Sequence, residues 1–421
     1  MYPQQHHTEF MAFRNVPKTG VIYVMNEASK QGFFYGNDDW SNLGQGAPET
    51  GLIPGGAPRL ENVSLPADTL EYGSVAGIND LRAAVAELYN KRFRRGLGSQ
   101  YGVENVAISP GGRSGLTRIA AAMDHLNLGH FIPDYTAYEE LLDLYRDLVP
   151  IPILLRPEDG FLPRPEMLRE EIMGMGLGAV LLSNPCNPTG QVVHGNDLLN
   201  WVETVKELKS FLVLDEFYSH YHFGISPEPA ISAAAYVEDV NKDPVVMLDG
   251  LTKNWRYPGL RISWTVGPAE IIHSIASAGS FLDGGAVHPI QRAAVPLLEL
   301  DIANQEARAI QGHFGMKRKL ILDRLETMGL APLAQPNGSF YAFARLEQMP
   351  EALQDGMDFF KKALEHKVIC VPGGFFDVNP GKRRSHIPSR LKSYVRLSYG
   401  PDLKELERGL DRLETMINAH R

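Results

Sequence analysis

Apolar positions change their pattern at about residue 103 of this chain. Beyond it, short β-rich runs alternate with helical stretches. The runs are Val106-Ala-Ile-Ser109, Val180-Leu-Leu-Ser183, Phe211-Leu-Val-Leu214, Val245-Val-Met-Leu248 and Ile262-Ser-Trp-Thr-Val266. None alternates with polar residues, so they read as strands covered on both faces, in a parallel sheet flanked by helices. Before residue 103, Leu81, Ala84, Val85, Leu88 and Tyr89 recur at helical spacing. Asn79 or Asp80 can cap that helix and Gly96 can end it. Residues 42–48 read as a short extended piece, 49–66 as loop and 72–77 as a turn, while the first 40 carry no assignable pattern. A long helical region is expected at about 286–328. A smaller α+β portion follows, with strands at 339–343, 368–371 and 394–398 and a last helix at about 402–418.

Composition narrows the class. The 421 residues suggest two or three domains at about 150 residues each. A chain 44% hydrophobic and 22% charged is ordinary for a soluble globular protein. No apolar run reaches the roughly 18 residues that span a bilayer, and Met1 to His7 does not begin a secretory signal. Two cysteines, Cys186 and Cys370, fit a reducing cytoplasm better than a disulfide scaffold. A net charge of -9 offers no basic field for nucleic acid. Neither an internal repeat nor a low-complexity tract is present.

In a parallel sheet, ligands bind beyond the C-terminal ends of the strands. Here those ends carry the chemistry. Pro110-Gly-Gly-Arg-Ser114 lets backbone N–H groups approach an anion at a helix start. Asp215 closes a buried strand, where a carboxylate needs a cation or a protonated ring nitrogen. Tyr218 and Asn187 add a phenol and an amide. Lys253 follows a fourth strand on a tight turn; desolvated there, its amine gives up a proton and can form a Schiff base. Arg261 can grip a phosphate, and Arg396 a carboxylate. Together these groups match the needs of pyridoxal phosphate.

The sequence resembles the fold-type I pyridoxal-phosphate enzymes, in the class I/II aminotransferase branch. The resemblance rests on Asn184-Pro-Cys-Asn-Pro-Thr-Gly190, Asp215-x-x-Tyr218, Thr252-Lys253 with Arg261, Val371-Pro-Gly-Gly-Phe-Phe376, and Tyr394-Val-Arg396-Leu-Ser. It implies an α/β fold: a large domain with a mostly parallel seven-stranded sheet between helices, plus a smaller α+β domain. The expected division is 1–70 as an N-terminal segment belonging to the small domain and the active-site cover, 71–310 as the cofactor domain, and 311–421 as the small domain. By resemblance Lys253 is the Schiff-base lysine and proton carrier, Asp215 the partner of the ring nitrogen, and Tyr218 and Asn187 donors to the ring oxygen. Gly112, Arg113, Arg261 and Thr252 look like phosphate contacts, and Tyr135 like the aromatic stacked on the ring. Tyr72 looks like a residue that reaches the cofactor of a neighbouring subunit, which implies a homodimer with shared sites. Arg396 looks like the clamp on the substrate α-carboxylate, with Gly46 on the loop covering it. The resemblance implies no metal.

Some positions depart from the family pattern. Gly250 stands where many relatives have a serine, and Arg113 where a small or uncharged residue is common. No arginine occurs around 278–283 to read a side-chain carboxylate, and 377–393 is longer than in many relatives. The aromatic supply of Phe33, Phe34, Tyr35, Trp40, Trp255 and Phe281 leans towards an apolar or aromatic substrate side chain. The basic loop 382–392 reads as solvated, with contact to an anionic substrate as its other reading. Transamination between an L-amino acid and a 2-oxo acid, in a ping-pong cycle, is the expected activity. Elimination or cyclisation on the same scaffold is the alternative, followed by a ligand-sensing module without turnover.

Overall fold

The computed structural model describes Val16, Lys18 and residues 20–421. The opening Met1 to His7, read above for a signal, lies outside these residues. The strands are β1 (Ser41–Asn42), β2 (Val106–Ser109), β3 (Leu126–Ile132), β4 (Leu148–Leu154), β5 (Leu177–Ser183), β6 (Phe211–Asp215), β7 (Val245–Gly250), β8 (Ser263–Val266), β9 (Tyr341–Arg345), β10 (Val368–Ile369), β11 (Val371–Pro372) and β12 (Tyr394–Ser398).

β2 to β8 form one seven-stranded sheet in the order β2-β8-β7-β6-β5-β3-β4, in which β8 alone runs antiparallel to its neighbours. Every residue of β2, β7 and β8 is buried, as the unbroken apolar runs require of strands covered on both faces. Burying side chains such as Leu214, Val246 and Leu248 stabilises the sheet by about 1.5–3 kcal/mol each. The same directionality brings the C-terminal ends of β2, β5, β6 and β7 to one edge.

Two strands of this sheet went unread. β3 is interrupted by Asn127, Gly129 and His130, and β4 contains Pro150 and Pro152. Prolines are tolerated in β4 because it is the edge strand and its outer side carries no ladder. The helix Gly20–Lys30 was also missed, though Val24 and Ala28 are buried at helical spacing. The helix Asn79–Phe93 is where periodicity put it, but neither Asn79 nor Asp80 caps it. Ile78 holds the cap position without a side-chain cap bond, and its own N–H donates to Gln291 Oε1 at 2.9 Å.

The region 286–328 divides at Pro296 into the helix His288–Ala294, a 3₁₀ turn and the helix Leu300–Met328. Beyond it, β9, β11 and β12 make a small antiparallel sheet in the order β11-β12-β9. The run 368–371 splits at Cys370, because β10 leaves to pair in parallel with β1. The last helix, Leu403–Ala419, is capped by Asp402, whose carboxylate accepts from Glu405 N–H, and buries Leu406, Leu410, Leu413 and Ile417. Among the described residues, no helix is long and apolar enough to cross a membrane.

Candidate active site

A cleft of about 790 Å³ opens at the C-terminal edge of the large sheet. Gly46, Gly112, Arg113, Tyr135, Asn187, Asp215, Tyr218, Thr252, Lys253, Arg261 and Arg396 all line it. Of the residues expected to bind the cofactor or substrate, Tyr72 does not: its ring is fully exposed, outside the cleft of its own chain.

Lys253 sits three residues past β7. Its Nζ donates to the Gly46 carbonyl, and its own carbonyl accepts from Tyr221 Oη at 3.0 Å. Burial, then the nearby Arg396, Arg261 and Arg113 guanidinium groups, push its ammonium down to about 7; Asp215 opposes the shift. Asp215 ends β6. Burial pushes its carboxyl up to about 6, against hydrogen bonds from Tyr138 Oη at 3.0 Å and Phe217 N–H at 3.4 Å and the charge of Lys253.

Arg396 comes from the middle of β12 and is buried. Its Nη1 donates to Asn187 Oδ1 at 2.8 Å and its Nη2 to the Gly44 carbonyl, while Nε has no partner among the described residues. The guanidinium carbon lies 4.2 Å from the Tyr341 ring centre. Tyr341 Oη in turn shares a 2.7 Å hydrogen bond with Tyr218 Oη. Gly111 has φ +90° just before the helix Gly112–Ala121, whose first residues, Gly112 and Arg113, line the cleft. A side chain at 111 would collide with Arg261, and a Cβ at 112 would meet the Phe217 ring at 2.6 Å. Both glycines are needed for this close approach.

The chemistry of these groups fits pyridoxal phosphate. Among the described residues, Thr252 Oγ1 and Arg396 Nε are buried polar atoms that find no hydrogen-bond partner. The glycine-lined helix start, with Arg261 beside it, is an anion cradle. Asp215 at the cleft floor can hold a protonated ring nitrogen.

Several participants escaped the sequence reading. Tyr138 bonds Asp215, Tyr341 links Tyr218 to Arg396, and the Gly44 carbonyl meets Arg396. Tyr138 lies in the same turn as Tyr135, three residues on, so its position was the available signal. Phe33, Phe34, Tyr35, Trp40, Trp255 and Phe281 do not line the cleft, so they give its substrate side no aromatic wall. Trp255 packs on His220 and Trp264, and Phe33 on Trp40, in the core; Phe34, Tyr35 and Phe281 are exposed. Within the basic loop, Lys382 pairs with Glu139, and Arg384 with Asp377 at 2.8 Å. Gly250 has a steric reason: a Cβ there would meet the Ile262 carbonyl oxygen at 2.6 Å.

A sequence profile of the family described as aminotransferase class I and II matches residues 38–413. The aspartate aminotransferase of Pyrococcus horikoshii is 24% identical, over 96% of each chain. The aspartate/prephenate aminotransferase of Thermus thermophilus is 29% identical, over 82% of this chain and 83% of its own. Among solved structures, the aspartate aminotransferase from Thermus thermophilus with maleate shares the fold at a TM-score of 0.76. It is 23% identical and matches over 96% of this chain and all 100% of that one. The aromatic aminotransferase from Pyrococcus horikoshii shares it at 0.74, with 22% identity over 94% and 99% of the two chains.

Proposed function

The chain belongs to the aminotransferase class I and II family and is a pyridoxal-phosphate-dependent aminotransferase; from that premise we propose what each residue of the cleft does. When bound, the cofactor supplies an aldehyde that joins an amine and a ring that draws electrons away from the substrate Cα. Lys253 is the amine that holds the cofactor, and once freed by an incoming amino acid it carries the proton to and from Cα. Its placement is the observation that carries this reading: Lys253 lines one cleft with Asp215, Asn187, Tyr218, Arg261 and Arg396, its Nζ held by the Gly46 carbonyl, and burial there lowers its hold on a proton to about 7.

Asp215 holds the proton of the ring nitrogen, and Tyr138 orients its carboxylate. Asn187 spends its Oδ1 on Arg396, which leaves Nδ2 to donate to the ring oxygen. Tyr218 can donate to the same oxygen while accepting from Tyr341. Backbone N–H groups of Gly112 and Arg113, with Thr252 and Arg261, bind the phosphate, and Tyr135 stacks on the ring. Arg396 binds the α-carboxylate; Gly44 and Gly46 yield as the substrate enters. The amino donor is an L-amino acid and the acceptor a 2-oxo acid. No observation in the cleft favours elimination or ring closure.

The proposal extends to assembly and location. Tyr72 serves the cofactor of a second copy, so the active form is a homodimer. Its full exposure in the single chain supports this. The division at residues 70 and 310 belongs to the same proposal, and the β1–β10 pair supports grouping the N-terminal segment with the C-terminal part. Both cysteines are free and buried, in keeping with a reducing cytoplasm. The test is a panel of single amino acids offered to the loaded enzyme, with the products identified. Stoichiometric 2-oxo acid with the nitrogen retained for a second 2-oxo acid supports the proposal; free ammonia or a cyclised product overturns it.

A further inference from the structure

We infer that a buried ion cluster of Arg59, Arg256 and Glu306 positions Lys253, by tying the turn after it to the segment that supplies Gly46. The inference rests on the reading of Lys253 given above.

Arg256 lies three residues past Lys253 and is fully buried, with φ +57°. That left-handed backbone is uncommon for a residue with a side chain and persists only where surroundings fix it. Its N–H donates to the Lys253 carbonyl at 3.0 Å, closing the turn. Its guanidinium donates from Nε to Glu306 Oε1 at 2.7 Å, and from Nη1 to the Glu49 and Gly51 carbonyls at 2.9 and 2.7 Å. Arg59 grips the turn from the other side. Its Nη1 donates to the Trp255 carbonyl at 3.0 Å, its Nη2 to the Arg256 carbonyl at 3.0 Å, and Nη1 also reaches Glu306 Oε1 at 3.3 Å. Glu306 completes the join by accepting from Ala57 N–H at 3.0 Å.

One carboxylate on the helix Leu300–Met328 therefore links the lysine turn to the segment 49–59. That segment continues back to Gly46 and Gly44, whose carbonyls meet Lys253 and Arg396. None of the three charged residues lines the cleft. Two guanidinium groups face a single carboxylate, and the main-chain carbonyls of Glu49, Gly51, Trp255 and Arg256 take up further donors, while Arg256 Nη2 finds no partner among the described residues. Burial and then the charge of Arg256 lower the proton affinity of Arg59. Buried ion clusters add little net stability over apolar packing, so their geometry is the better guide to their use. Here every bond runs to one of the two segments that bracket the amine.

The test compares Arg59→Met and Glu306→Gln with the conservative Arg59→Lys. In the cofactor-free protein, the pH dependence of Lys253 acylation by acetic anhydride is read by peptide mass; in the loaded enzyme, kcat and KM are measured. The groups facing the amine, Arg396, Arg261, Arg113 and Asp215, stay unchanged. The first two variants are expected to raise the acylation midpoint by about one pH unit as water enters, and to lower kcat about 10–100-fold with KM little altered. Arg59→Lys is expected to recover part of both. Should Glu306→Gln not fold, the two Arg59 variants decide. Folded variants that lose thermal stability yet keep the wild-type midpoint and kcat overturn the inference. Borohydride trapping of pyridoxal phosphate on the wild-type protein separately tests the reading of Lys253, so the two failures are distinguishable.

Discussion

Burial and the neighbouring guanidinium groups push the Lys253 ammonium of the folded, cofactor-free protein down to about 7, from the 10.5 of a free lysine side chain. Between those values the unfolded chain binds the extra proton, so stability should rise with pH across the window, and the cost of burying the charge is complete below about 7. Lys253→Met should therefore raise the melting temperature of the cofactor-free protein most at pH 6–7, about where the amine is charged, with the gain fading towards pH 10. A gain independent of pH would show that the lysine is not desolvated. For turnover, Asp215→Asn should lower kcat by about 10²–10⁴-fold while leaving the fold intact, measured on protein of unchanged circular dichroism. At this scale the sequence was informative wherever a residue is both chemically capable and at a strand end, as Asp215 and Lys253 are. Tyr341 and the Gly44 carbonyl were not legible: they reach the cleft from β9 and from the loop after β1, and only tertiary packing brings them there.

Gly250 illustrates what an element demands of a single position. β7 and β8 approach so closely that a Cβ at 250 would stand 2.6 Å from the Ile262 carbonyl oxygen. Gly250→Ser is expected to cost about 1–3 kcal/mol by displacing β8, read by denaturant unfolding, and to add no phosphate contact. Unchanged stability with tighter cofactor binding would contradict this. The strands legible from the chain were those whose apolar runs are unbroken, because burial on both faces writes itself into sequence. β4 was not, since an edge strand carries prolines at no cost to a second ladder. The split at Cys370 was also hidden: one apolar run serves two sheets, and nothing local marks the exchange.

Taken as one body, the molecule assembles its cleft from parts far apart in sequence: Gly46, the ends of β2, β5, β6 and β7, and Arg396 on β12. Family membership accounts for the cofactor and the transfer; the shared dimeric site is the proposal that reaches beyond one chain. Mixing Lys253→Ala with Tyr72→Ala subunits should restore wild-type cofactor affinity and turnover at about a quarter of the sites, because hybrid dimers contain one intact pairing. Absence of any gain over the separate variants would mean that Tyr72 serves no neighbour. Whether Lys253 holds the cofactor is decided by borohydride reduction of the loaded enzyme followed by peptide mapping. The phosphopyridoxyl group is expected on the peptide carrying Lys253, with none on the Lys253→Ala protein. A label on any other lysine, or none at all, would contradict it.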